Sequence, residues 1–151
     1  MQQEDWIKYG AIALAVVGFG AILFVALAHS GGDIEGRDWA LTQLGDDSTS
    51  GELVQGTVIT ATFEDGTVAG SSGCNNYFAD YAVDGDAIEV GPAGSTLMFC
   101  ESPEGTMDQE QTYLSLLQTA DSFDVSGDTL TLSADGTTVL VYSASDSTDG
   151  A

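Results

Sequence analysis

The chain has 151 residues, with 24 acidic side chains set against Lys8 and Arg37 alone, for a formal net charge of -22. That balance repels polyanions and supplies no basic groove, which excludes nucleic acid as a partner. Beyond an apolar N-terminal stretch about 110 residues remain, enough for one domain with one core, and the acidity reads first as a solvated surface that keeps such a domain soluble.

Residues 1–8, MQQEDWIK, form a polar stub expected on the cytoplasmic side. Residues 9–28, YGAIALAVVGFGAILFVALA, carry no charge. At 1.5 Å per helical residue they reach about 30 Å, the thickness of a hydrocarbon core, so an N-terminal transmembrane helix acting as a signal anchor is expected. Trp6 and Tyr9 stand where interfacial aromatics belong. Lys8 and the terminal amine before the span, against Arg37 after it, favour a cytoplasmic N-terminus and an extracytoplasmic domain. The alternative is a secreted protein released by cleavage near Ala28, since Ala26-Leu27-Ala28 has the small-x-small form. Against it, Glu4 and Asp5 occupy the region where a signal peptide is basic, and the apolar run exceeds the usual h-region.

A short polar linker, residues 29–35, precedes a domain expected over residues 36–142. WALTQL (39–44) and TVITATF (57–63) alternate large and polar side chains as half-buried strands do, and TVAG, YFADYAV, AIEV, TLMF, DTLTLS and TTVLVYS follow at strand length. Asp65-Gly66, Asp84-Gly85, Gly127-Asp128 and Asp135-Gly136 fall between these runs, where Gly and Asp suit hairpin turns. The pattern is mainly β, an antiparallel meander. One segment, TMDQEQTYLSLLQTA (106–120), has helical spacing, with Met107, Tyr113, Leu114, Leu117 and Ala120 on the packed side and Asp108, Gln109, Gln111 and Ser115 facing away. Thr106 and Gln109 have the form of a capping box. The tail, residues 143–151, has no apolar side chain larger than alanine and is expected to be disordered and acidic.

Cys74 and Cys100 are the only cysteines. In an exported domain an even count makes one disulfide the default, and closing the loop between them stabilises by roughly 3 to 4 kcal/mol, with free buried thiols as the alternative. A reactive cysteine needs a base, and the single histidine, His29, lies before the domain. Zinc would need further nitrogen or sulfur ligands, and the Asp-Gly pairs lack the spacing of a calcium loop, so no metal or cofactor is expected. No serine elbow is present, which leaves Glu101, Glu104 and Glu110 near the helix start as the one carboxylate group that a hydrolase could use. In so acidic a chain three neighbouring carboxylates are ordinary, and no catalytic residue is assigned.

The order Gly36-Arg-Asp-Trp39, Gly73-Cys-Asn75, Thr96-Leu-Met98-Phe-Cys100 and Glu110-Gln-Thr-Tyr113-Leu114 resembles the META domain of the HslJ heat-shock protein family, over residues 36 to about 142. The resemblance implies a mostly antiparallel, partly open barrel-like sheet carrying one helix, usually exported and often membrane-tethered. It implies no established enzymatic activity, links to heat shock, novobiocin resistance and secretion, and in some members a likeness to lipid-binding pilot proteins. The functional expectation is a non-catalytic, membrane-tethered module for envelope maintenance or stress tolerance that binds an envelope protein or a small apolar ligand; a barrel whose interior binds lipid or a small apolar ligand is one alternative, and a carboxylate hydrolase is the outlying one.

Overall fold

The computed structural model describes residues 34–46 and 52–145. The expected transmembrane span at residues 9–28 and the end of the tail lie outside these residues, and no helix among the described residues is long and apolar enough to cross a membrane.

Nine strands and one helix form in the order β1 (Asp38–Leu44), β2 (Thr60–Glu64), β3 (Thr67–Ser71), β4 (Asn76–Asp84), β5 (Ala87–Val90), β6 (Gly94–Ser95), α1 (Thr106–Thr119), β7 (Ser122–Ser126), β8 (Thr129–Ala134) and β9 (Thr137–Ser145). The sheet runs β3-β2-β1-β9-β8-β7-β5-β4, and β3 also pairs with β4. Eight antiparallel strands therefore close on themselves, with the short β6 against the start of β4. Closure corrects the expected meander or partly open sheet. Its cause lies in pairings that hairpin signals do not encode: the first strand bonds to the last through Asp38↔Ser145 to Leu44↔Leu140, and β5 meets β7 at Ala87↔Ser122. That second seam is short, fastened by Ile88 N–H to Asp121 O at 3.0 Å and Phe123 N–H to Asp86 O at 2.9 Å.

Alternation sends one side of each strand inward, as period 2 requires. Trp39, Ala61, Phe63, Val68, Tyr77, Ala79, Leu130, Leu132, Leu140 and Tyr142 lie in the core. A bulge at Thr42 on β1 and another at Val139 on β9 shift register, and the second lets Val139 and Leu140 both be buried. Two of the tight turns behave as the Asp-Gly signal demands: Asp65, Gly66, Asp135 and Gly136 all take positive φ.

Several boundaries move. TLMF (96–99) is not a strand, and a strand with a weaker pattern, β7, stands at SFDVS instead. Ile34 and Glu35, placed in the linker by sequence, belong to the barrel: Ile34 is buried, its carbonyl accepts from Trp39 Nε1 at 2.9 Å, and Glu35 bridges to Phe63. β9 runs to Ser145, three residues into the expected tail.

The helix buries Thr106, Gln109, Glu110, Tyr113 and Leu117, a stripe at spacings of three and four. Gln109 thus faces inward, contrary to its expected outward position. Nor is there a capping box. Gly105 precedes the helix without a side-chain cap, Thr106 Oγ1 donates to Pro103 O at 2.6 Å, and Gln109 instead accepts from Val54 N–H at 2.7 Å and donates to Thr57 Oγ1 at 2.9 Å. A partner outside the helix outcompetes the local cap.

Candidate functional site

The residues singled out by sequence gather where β4 begins. Cys74 and Cys100 are joined, with sulfurs 2.02 Å apart and Cα atoms 5.9 Å apart. Between them in sequence, residues 96–100 run beside Asn75 without entering the sheet. Asn75 holds this stretch: its Oδ1 accepts from Met98 N–H at 2.7 Å and Thr96 Oγ1 at 2.8 Å, and its Nδ2 donates to Met98 O at 3.1 Å. One side chain thereby imitates a strand neighbour.

Glu110, projecting from α1, holds Asn75. Its Oε2 accepts from Cys74 N–H at 3.0 Å and Asn75 N–H at 2.8 Å, and its Oε1 from Asn75 Nδ2 at 2.6 Å. The carboxylate is buried with no cation among these partners. Burial pushes its pKa up, but the bonds from Asn75, Cys74 N–H and Ser72 together outweigh burial and leave the group below its ordinary value. Oε2 is occupied by two backbone donors and Oε1 by the Asn75 side-chain amide. Glu101 and Glu104, its expected neighbours in a carboxylate group, are exposed and take no part. The three acids are thus one buried residue holding the start of β4 and two surface residues.

Beneath the helix three tyrosines form a chain. Tyr77 OH donates to Thr60 O at 2.8 Å, the Tyr77 and Tyr113 hydroxyls are 2.7 Å apart, and those of Tyr113 and Tyr142 2.9 Å. A hydroxyl has one proton, and a carbonyl can only accept. Tyr113 must then donate to Tyr77, and Tyr142 to Tyr113. Burial raises the pKa of all three. At the opposite end of β4, Tyr81 bonds to Glu35, and its pKa is raised by burial and then by that carboxylate.

Among the described residues no group of three or more His, Cys, Asp and Glu is placed to hold a metal ion. A surface depression of about 500 Å³ lies beside Glu35, Arg37, Asp38, Glu64 and Asp65, away from the cysteines. Arg37 donates to Gly127 O at 2.8 Å, sits 3.8 Å from Asp128, and lies over the Trp39 ring at 5.7 Å.

Sequence reasoning missed the roles of Asn75 and Glu110. The usable signal was position: Glu110 lies on the same helical stripe as Thr106, Tyr113 and Leu117, where a carboxylate should not be unless something binds it.

The META domain profile matches residues 32–147. The chain belongs to the META domain family. Two solved structures share its fold: an NMR structure of a protein from Burkholderia xenovorans, 26% identical, covering 80% of this chain and 88% of that one with a TM-score of 0.65, and a second NMR structure, 17% identical, covering 74% and 92% with a TM-score of 0.57. Comparison with curated proteins finds no significant match. The Cys74-Asn75 and Glu110 elements fall inside the matched span, so the hub described above is part of this META domain's own barrel.

Proposed function

We propose that this META domain is a non-catalytic binding module, tethered by residues 9–28 to the outer face of a membrane, that serves envelope maintenance or stress tolerance. The observation that carries the reading is the use already made of the two cysteines, Glu110 and the three tyrosines at the helix. The cysteines are joined, the buried glutamate is committed to backbone donors, and the tyrosines bond to one another. The interior holds Trp39, Tyr113, Leu117, Leu130 and Tyr142 with no exposure, which favours action through the outer surface over a ligand carried inside. The apolar stretch before the domain supports the tether.

Two measurements test this. Protease added to sealed cells should cut the region after residue 40; full protection sinks the topology. Cells lacking the protein should become sensitive to heat or envelope-active drugs, and re-expression of the full chain should restore tolerance; cells that stay as tolerant without the protein sink the proposed role.

A further inference from the structure

Leu97, Met98 and Phe99 are 96%, 58% and 74% exposed, and Phe78, on the outer face of β4, is 61% exposed. Four large apolar side chains exposed on the start of β4 and on the segment that follows its partner β6 are not what solubility selects on so polar a surface. Nor can they turn inward. Asn75 fixes the backbone of Met98 on both sides, Thr96 N–H donates to Asn76 O at 3.0 Å, and the disulfide anchors Cys100. Gly94 lets Phe78 lie flat: a Cβ there would stand 2.7 Å from its ring. The loop is ordered before it meets anything, so association would not have to supply that ordering.

Charge selects the occupant. Glu101, Glu104 and Asp108 follow the loop in the chain, and Asp80 is exposed two residues beyond Phe78 on the same face of β4. Arg37 is the sole lysine or arginine among the described residues, and it is engaged at Gly127 and Asp128. An apolar centre with an acidic rim repels anionic headgroups and repels a second copy of itself. The loop also lies at the end of β4 away from where the chain joins the barrel: Glu35 bridges to Phe63, and the neighbouring turn reaches Tyr81 through Gly66 O at 2.9 Å, five residues or about 17 Å along β4 from Asn76.

We propose that Leu97, Met98, Phe99 and Phe78 form a docking knob for a partner protein whose surface carries an apolar groove rimmed by Lys or Arg. This names the face through which the binding module works and rests on that reading. Photo-crosslinking residues placed at Leu97, and separately at exposed Ala82 on the far part of β4, in the full chain in its own cells, test it. The expected result is one protein adduct from position 97, absent from position 82, whose cross-linked segment lies in an apolar groove flanked by Lys or Arg. Affinity for that purified protein should then fall about tenfold or more in Phe99→Ala, a substitution at an exposed site that leaves the melting curve in place, and should weaken with salt. Adducts only to lipid, only to a second copy, or none at all overturn the proposal, as does a partner groove without basic residues. An adduct from position 82 alone overturns the knob while leaving the binding-module reading intact.

Discussion

Between Ser122 and Ser145 the chain doubles back twice through two-residue turns, and each strand satisfies its neighbour: Ser126↔Thr129 opens one hairpin, Ala134↔Thr137 the next. Between Thr96 and Glu110 it makes no hairpin, and side chains meet the backbone instead, Asn75 at Met98 and Met107 Sδ at Cys100. The two hairpins of the first region join residues close in sequence, whereas the second region leans on Asn75, 23 positions from Met98, with Met107 closing on Cys100 from seven positions on. The difference predicts how each breaks. A hairpin should lose stability in small, local steps, whereas the anchored segment should depend on a few polar atoms.

The largest expected effect is therefore Glu110→Ala. Two backbone donors, Cys74 N–H and Asn75 N–H, lose their acceptor, and Asn75 Nδ2 keeps only its bond to Met98 O. At about 1 to 3 kcal/mol for each orphaned group, and with incomplete additivity, denaturant melts should show a loss of about 3 to 5 kcal/mol. Amide exchange should rise at Cys74 and Met98 before it rises at Leu132 or Leu140; uniform exchange across both regions would remove the contrast. The group also gives a pH signature. Its folded pKa is depressed, so the stability it contributes is present above the ordinary value of 4.5 and is lost as pH falls through the folded value. The stability difference between the native chain and Glu110→Gln should shrink on acidification below pH 4.5, whatever the other carboxylates do to both chains in common.

Next in size is the cross-link. Replacing Cys74 and Cys100 together with serine should cost about 3 to 4 kcal/mol from the loop released in the unfolded chain, given the separation of 26 residues. The bonds from Asn75 to Met98 remain, so the folded protein should keep slow exchange at Met98. Rapid exchange there would show that the disulfide, and not Asn75, orders the loop.

These contrasts also explain what could be read in advance. Alternation in WALTQL and TTVLVYS and the Asp-Gly turns identified strands because their causes lie within a few residues of one another. The same rule misread TLMF, whose alternation is real but whose backbone is met by an asparagine side chain, as a strand. It passed over SFDVS, where Phe123 and Val125 are too few to make a pattern. Barrel closure was hidden because β1 and β9 are distant in sequence and neither carries a turn signal for the other. Cys74 and Cys100 were legible as a pair because they are the only two cysteines. Glu110 was seen only as one acid among many, since its role appears once Cys74 and Asn75 are brought to the helix.

The tyrosine chain gives a smaller, directional effect that joins the two regions, since it runs from β4 through the helix to β9. Tyr113→Phe leaves the Tyr142 proton without an acceptor and removes the donor to Tyr77, and should cost about 2 kcal/mol. Tyr142→Phe removes only a donor at the end of the chain, Tyr113 having already given its own proton to Tyr77, and should cost about 1 kcal/mol or less. Equal losses would mean that the proton order is not the one imposed by Thr60 O.

The smallest effect belongs to the hairpin side. Gly136, at φ +77, has nothing within 4 Å of where a Cβ would sit, so Gly136→Ala adds no clash and acts only through its backbone. The left-handed conformation costs an L-residue about 1 kcal/mol, and asparagine, which tolerates it better, should recover most of that loss in Gly136→Asn. Exchange should quicken at Thr137 and Ala134, beside the turn, and remain slow at Met98. That outcome, set beside the spread of damage from Glu110→Ala, would separate a turn that governs only its own two strands from a carboxylate that organises a helix, a strand end and a loop together. If Gly136→Ala instead loosened Met98, the β8–β9 hairpin and the anchored segment would be one cooperative unit, with the tyrosine chain from β9 to β4 as the direct link between them.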